Sequence, residues 1–346
     1  MPNLNKRPYR ALMSACVLLA CGAVLTGCQT HSQTSEKPST VQIKPVIGQE
    51  MLEHLKAFEK IAKNNGGNRA VGTAGGQASA KYIVDEVKKL GLTAQLIPFE
   101  NREKTLGQNI IVELKGQSKD NAIIIGGHYD SVLEGPGIND NGSGVAVLLD
   151  LIKHYQANPN QLKHTLYFAF WDSEEVGVAG SQHFVKNLTE QQLSQIKAYI
   201  NVDMVGTKNP NIMISDADYS SLIELENTAK ANGLTPEEYG PIVEPFRQIP
   251  MHEGSKALEV QLTEFFAQKN LTIKEDLTTL TASDTLPFLG KVPVASMIFF
   301  NEQEKGDTLE FAPCYHQACD TLQYVDPAVL QIAKEGVSYL IQRAEQ

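Results

Sequence analysis

The chain is poor in cysteine, has no apolar run long enough to span a bilayer and carries no surplus of basic residues, and each shortage removes a class of function. Three of its five cysteines fall within the first 28 residues, leaving only Cys314 and Cys319 for the rest. In an exported protein two cysteines five apart read as one local disulfide closing a tight loop. The apolar run from Ala11 to Leu25 falls short of the roughly 20 residues that a spanning helix requires. Acidic residues outnumber basic ones by 40 to 30, so charge offers no attraction for nucleic acid or anionic headgroups. No internal repeat is found.

What is present begins with an address. Lys6, Arg7 and Arg10 precede the apolar run in the layout of a secretory signal. The run ends in Leu25-Thr26-Gly27-Cys28, which resembles the lipobox of bacterial lipoproteins. The expectation is therefore a signal peptide over residues 1–27, lipid on Cys28, and a protein exported and anchored to the bacterial cell envelope. Gln29 after that cysteine favours the outer membrane in a host that has two. Removing residues 1–27 takes away three cations and leaves 27 against 40, a net charge of −13. Residues 28–45 are Ser, Thr, Gln, Lys and Pro with almost no large apolar side chain, a flexible tether that would hold the body about 20 to 25 Å from a membrane.

Residues 46–346 read as one α/β domain with a twisted, mostly parallel mixed sheet and helices on both faces. Met51, Leu55, Phe58 and Ala62 share one helical face, and Tyr82, Ile83, Val87 and Leu90 another stopped by Gly91. Strand-like runs follow at 94–99, 109–115 and 122–126, a helix at 144–156, and apolar strands at 166–172, 198–204 and 294–300. Alternation of this kind predicts a doubly covered sheet. Residues 220–275 read as helices with a proline-rich interruption at Pro241, Pro245 and Pro250, an excursion or lid over the sheet. Asp326-Pro327 opens a last helix.

The stretch AIIIGGHYDSVLEGPGINDNGSG, residues 122–144, starts as a strand buried on both faces and ends in loop punctuation. Loops just past the carboxyl ends of strands form the ligand crevice of an open α/β sheet. His128 and Asp140 stand there, with Asp130 between them, and later strand ends add Glu174, Glu175 and Asp203. His316 lies between the two cysteines. Two imidazoles with several carboxylates are the donors of an open, catalytic zinc site, and their surplus over the three ligands one ion needs suggests two ions sharing a carboxylate. A packed core histidine with turn-forming aspartates, and a solvated Glu-Glu pair, fit the same residues taken singly.

The segments NNGGNRAVG (64–72), GGHYDSVLEGPGINDNGSG (126–144), FAFWDSEEVGVAGS (168–181), INVDMVG (200–206), SDTLPF (283–288) and PCYHQACDT (313–321) together resemble the secreted bacterial leucine aminopeptidases of the di-zinc exopeptidase family. The resemblance is ordered and spans nearly all of the body. It implies that His128 and Asp203 are terminal ligands of one zinc, Glu175 and His316 of the other, with Asp140 bridging and a cis bond between Asp140 and Asn141. It makes Asp130 the carboxylate that orients His128, Glu174 the general base, and Tyr315 a phenol that hydrogen-bonds the tetrahedral intermediate. Two departures touch the substrate side: Thr285 follows Ser283-Asp284 where the family has His, and Ala282 stands in place of Arg.

The function expected is a zinc aminopeptidase with two Zn²⁺ per chain that removes a bulky apolar N-terminal residue from peptides with a free amino group. The rival on the same fold is a glutaminyl cyclase. A non-catalytic binding module would require missing ligands, and none is missing.

Overall fold

The computed structural model describes residues 48–118, 121–159, 162–305 and 308–344. The signal segment, Cys28 and the tether lie outside the described residues. Two amphipathic helices open the described part, α1 (Gln49–Asn64) and α2 (Ala74–Lys89). Then come β1 (Ala94–Glu100), β2 (Leu106–Leu114), β3 (Ala122–His128), α3 (Gly142–Gln156) and β4 (Thr165–Trp171). Two short helices, α4 (Ala179–Lys186) and α5 (Glu190–Gln195), lead to β5 (Ile196–Asp203) and β6 (Asn211–Ser215). Three helices follow, α6 (Ser220–Ala231), α7 (Pro236–Arg247) and α8 (Ser255–Gln268), then β7 (Ile273–Asp276), α9 (Thr278–Thr281) and β8 (Val294–Phe300). The hairpin β9 (Gln303–Lys305) and β10 (Thr308–Glu310) and the helix α10 (Pro327–Ala344) complete the order.

Eight strands form one mixed sheet in the order β1-β2-β4-β3-β5-β8-β6-β7. Four of its seven pairings are parallel, and they include the contiguous centre β4-β3-β5-β8. These central strands are apolar along their length because helices cover both faces. The proline in β1, Pro98, is tolerated because that strand pairs only with β2 and its other side is an edge. Gly126 and Gly127 leave room at the end of β3: a Cβ would come within 2.5 Å of the Trp171 indole at one and 2.6 Å of the Val202 carbonyl at the other. That clearance seats His128 against its neighbouring strands.

One face packs α1, α2, α3, α8 and α10 around Leu55, Phe58, Phe168, Leu262 and Leu330, and the other packs residues such as Trp171, Tyr199, Leu222, Val243 and Phe288. The expected excursion at 220–275 is corrected in two respects. Its end, β7, joins the sheet beside β6, and α8 contributes Leu258, Leu262, Phe265 and Phe266 to the larger core. Pro241 and Pro245 lie inside α7 and do not interrupt it. Each removes a helix hydrogen bond, but burial of Tyr239 and Val243 holds the helix to the second face, so tertiary packing outweighs propensity.

Candidate metal centre

Sheet order decides where the chemistry falls. From β3 the chain continues to β4 on one side and to β5 on the other, so the crevice opens at the carboxyl end of β3. His128 is the last residue of β3 and Asp203 the last of β5. Asp140 precedes α3, and Glu174 and Glu175 lie in the turn after β4. His316 sits in the loop closed by the Cys314–Cys319 disulfide. Met204 and Ser173, which adjoin Asp203 and Glu174, have left-handed backbone, as do Cys314 and His316. Non-glycine residues persist there only where the surroundings over-determine them.

The structure brings together all five residues that the sequence analysis offered as ligands. Asp140 stands between the imidazoles, with Oδ1 3.3 Å from His128 Nε2 and Oδ2 3.2 Å from His316 Nε2. His128 Nε2 also lies 3.5 Å from Asp203 Oδ1, and His316 Nε2 lies 3.1 Å from Glu175 Oε2. The peptide bond between Asp140 and Asn141 is cis. Behind His128, Asp130 Oδ1 lies 3.4 Å from Nδ1 and its two oxygens accept the main-chain amides of Glu174 and Glu175. The Asp130 main-chain oxygen also lies 3.2 Å from His128 Nδ1, so this residue both abuts the imidazole and fixes the turn carrying both glutamates.

Four positioning side chains had been given no role. Asn141 accepts from the Gly144 and Met204 amides and donates to the Val202 carbonyl, tying Asp140 and α3 to the end of β5. Ser283 donates to Asp203 Oδ2 at 2.7 Å. Arg69 and Asp320 hold the loop that leads to Asp140. Their only sequence signal was membership of the motif segments, because the groups they bind are main-chain atoms far away in the chain.

Whether the residues suit a cation is decided by what they leave unsatisfied. Glu175 Oε1 and Asp203 Oδ1 are buried with no hydrogen-bond partner. Buried carboxylates are costly unless paired or bound to metal. Burial and the Asp140 charge push Glu175 up to about 7 against the pull of His316. Asp140, despite its burial, is held well below the usual carboxylate range by hydrogen bonds from both imidazoles. His316 is raised to about 10 by Asp140 and Glu175, against the effect of burial. Ligand atoms of His128, Asp140 and Glu175 lie within 4.8 Å of one another. The donors, their convergence and the orphaned oxygens all fit a divalent cation. A second acidic group, Asp216, Asp218 and Glu259, is already served by the Lys256 ammonium, 2.5 Å from Asp218 and paired with Glu259.

The polar cluster forms the floor of a cleft of about 260 Å³. Met204, Ile298, Phe300 and Phe311 make its apolar wall, with Thr278, Thr281 and Ala282 at another side. Glu174 faces this space and is raised well above its usual range by burial and by Asp284, Glu175 and Asp203, despite the opposing pull of His128. Tyr315 lines the cleft, stacked on His316 at 3.8 Å and edge-on to Phe311. Burial and the surrounding carboxylates keep its phenol protonated, hence a donor.

Residues 109–341 match Peptidase family M28. Leupeptin-inactivating enzyme 1 of Streptomyces exfoliatus is 31% identical over 83% of this chain and 60% of its own length. The "probable lipoprotein aminopeptidase LpqL" of Mycobacterium tuberculosis is 32% identical over 81% of this chain and 56% of its own. The chain thus spans little more than half the length of these relatives. Among solved structures, a zinc aminopeptidase from Bacillus subtilis superposes with a TM-score of 0.64 at 16% identity, covering 87% of this chain and 95% of that one. Porphyromonas gingivalis glutaminyl cyclase gives 0.63 at 19% identity, covering 87% and 100%. With residues 109–341 matched, about two thirds of its length, this chain belongs to peptidase family M28.

Proposed function

We propose that the protein is an aminopeptidase dependent on two zinc ions, hydrolysing the N-terminal residue of peptides and favouring bulky apolar side chains. The observation that carries this reading is the placement of Asp140, one carboxylate oxygen toward each of two imidazoles, on the floor of an apolar cleft that Glu174 faces. His128 and Asp203 would hold one ion, Glu175 and His316 the other, and Asp140 both. Bound zinc supplies Lewis acidity to the scissile carbonyl and to the attacking water.

The remaining chemistry belongs to the chain. Glu174, which faces the cleft, takes the proton of the attacking water and delivers it to the amine as the C–N bond breaks. Tyr315 donates its O–H to the oxygen on which negative charge develops. The free α-amino group is held by carboxylates near the ions, and the apolar wall takes the first side chain. The relative named as a probable lipoprotein aminopeptidase supports export, a lipid anchor on Cys28 and peptides as substrates.

Hydrolysis of Leu-p-nitroanilide, with the N-acetylated analogue left intact, tests this reading. Likeness to a glutaminyl cyclase at 19% identity concerns the fold alone, so the same preparation is offered a Gln-initiated peptide. Release of free Gln or Leu supports hydrolysis, whereas loss of ammonia from an otherwise intact chain, with no cleavage of the Leu substrate, overturns it.

A further inference from the structure

Asp140 and His316 lie 176 positions apart, on two loops that belong to no common strand or helix. Yet Asp140 Oδ2 and His316 Nε2 are 3.2 Å apart. The connection runs through Asp320, four residues after His316 and 3% exposed. Its Oδ1 accepts the Asn139 amide at 2.9 Å and its Oδ2 accepts the Asp140 amide at 3.1 Å. Its main-chain oxygen accepts the Ile138 amide at 3.3 Å, and its own amide donates back to the Gln317 carbonyl at 3.0 Å. Three successive amides of one loop therefore end on a single residue of the other.

The opposite polarity of the same loop is taken by Arg69. This guanidinium is fully buried and donates to the carbonyls of Tyr129, Pro136 and Gly137. Among the described residues it makes no carboxylate ion pair. A cation on the carbonyls and an anion on the amides leave the loop few ways to move, because buried backbone groups released from them would lose hydrogen bonds. The loops also touch at Gly135, where a Cβ would stand 2.2 Å from the Gln317 carbonyl.

We propose that Asp320 is a positioning residue that sets the spacing of Asp140 and His316, so that the loop-borne half of the centre is assembled before an ion arrives. The inference rests on the metal-centre reading above. An Asn side chain keeps the size of Asp320 but brings an NH₂ group against one of the two amides, so Asp320→Asn breaks half of the staple.

The test uses the full chain, stripped of metal and titrated with zinc against a competing chelator. Loss of a group that supports a metal ligand lowers affinity by about 10- to 100-fold. That loss is expected at the weaker of two sites in Asp320→Asn, with a smaller loss at the tighter site, which shares Asp140, and with turnover recovering in excess zinc. Asp326→Asn, which removes a carboxylate bond to the Ala328 amide at the start of α10, should lower thermal stability and leave both affinities alone. Hydrogen exchange gives a readout that needs neither variant: in metal-free wild type, the Asn139 and Asp140 amides should already be protected. Rapid exchange there, or wild-type affinities at both sites in Asp320→Asn, overturns the staple. A wild type that binds no zinc overturns the metal-centre reading instead.

Discussion

His128 ends a central strand and is 1% exposed, whereas His316 sits in a six-residue disulfide loop and is 38% exposed. Their carboxylate neighbours follow the same division. Asp203 closes β5, which pairs directly with the strand of His128, while Glu175 lies in a turn. One half of the centre inherits its geometry from sheet pairing, which the cores on both faces of the sheet hold in place. The other depends on local devices: the disulfide, the Asp130 clamp on the 174–175 amides and the Asp320 staple. A strand-built half is expected to bind its ion tightly and a loop-built half more weakly, because only the second must be ordered by small groups that can each be removed.

The largest expected effect erases the comparison. Asp140→Ala should lose both ions by elemental analysis and reduce activity to background, since the same carboxylate faces both imidazoles. Retention of one full equivalent would assign Asp140 to a single half. Next, Glu174→Gln should keep both ions while turnover falls by about 10² to 10⁴, the usual cost of a lost general base. Metal loss in that variant would make Glu174 a ligand.

Tyr315→Phe belongs to the loop half and should lower kcat by about 10² to 10³, as for a missing oxyanion donor, with zinc content unchanged. An effect confined to KM would make the phenol a substrate-binding group. The smallest effect in stability is expected for Cys314→Ser with Cys319→Ser. A bridge closing so short a loop is worth about 2 kcal/mol by chain entropy, so the melting temperature should fall modestly while zinc occupancy and turnover fall more. A large thermal loss with normal turnover would remove the disulfide from the account of the loop half.

Much of this was readable from the chain. Strands buried on both faces write themselves as apolar runs, which is why β3, β4, β5 and β8 were read, and with them the candidates His128, Asp140, Glu175 and Asp203 past strand ends; His316 was read from its place between the two cysteines. β6 and β7 were missed because five and four residues carry too little periodicity. The helix through Pro241 and Pro245 was missed because packing of Tyr239 and Val243 overrides a local signal. Arg69, Asn141 and Asp320 carry no such pattern. Their partners are backbone atoms of Pro136, Val202 and Asn139, 67, 61 and 181 positions away, and a main-chain amide or carbonyl leaves no trace in residue identity.

The most direct test of the two-half account is calorimetric titration of metal-free protein with zinc, for wild type and His316→Ala. The wild type should take up two ions per chain in two resolved steps, and the variant should keep the tighter step and lose the weaker. One ion per chain in the wild type, or loss of the tighter step in His316→Ala, would contradict it.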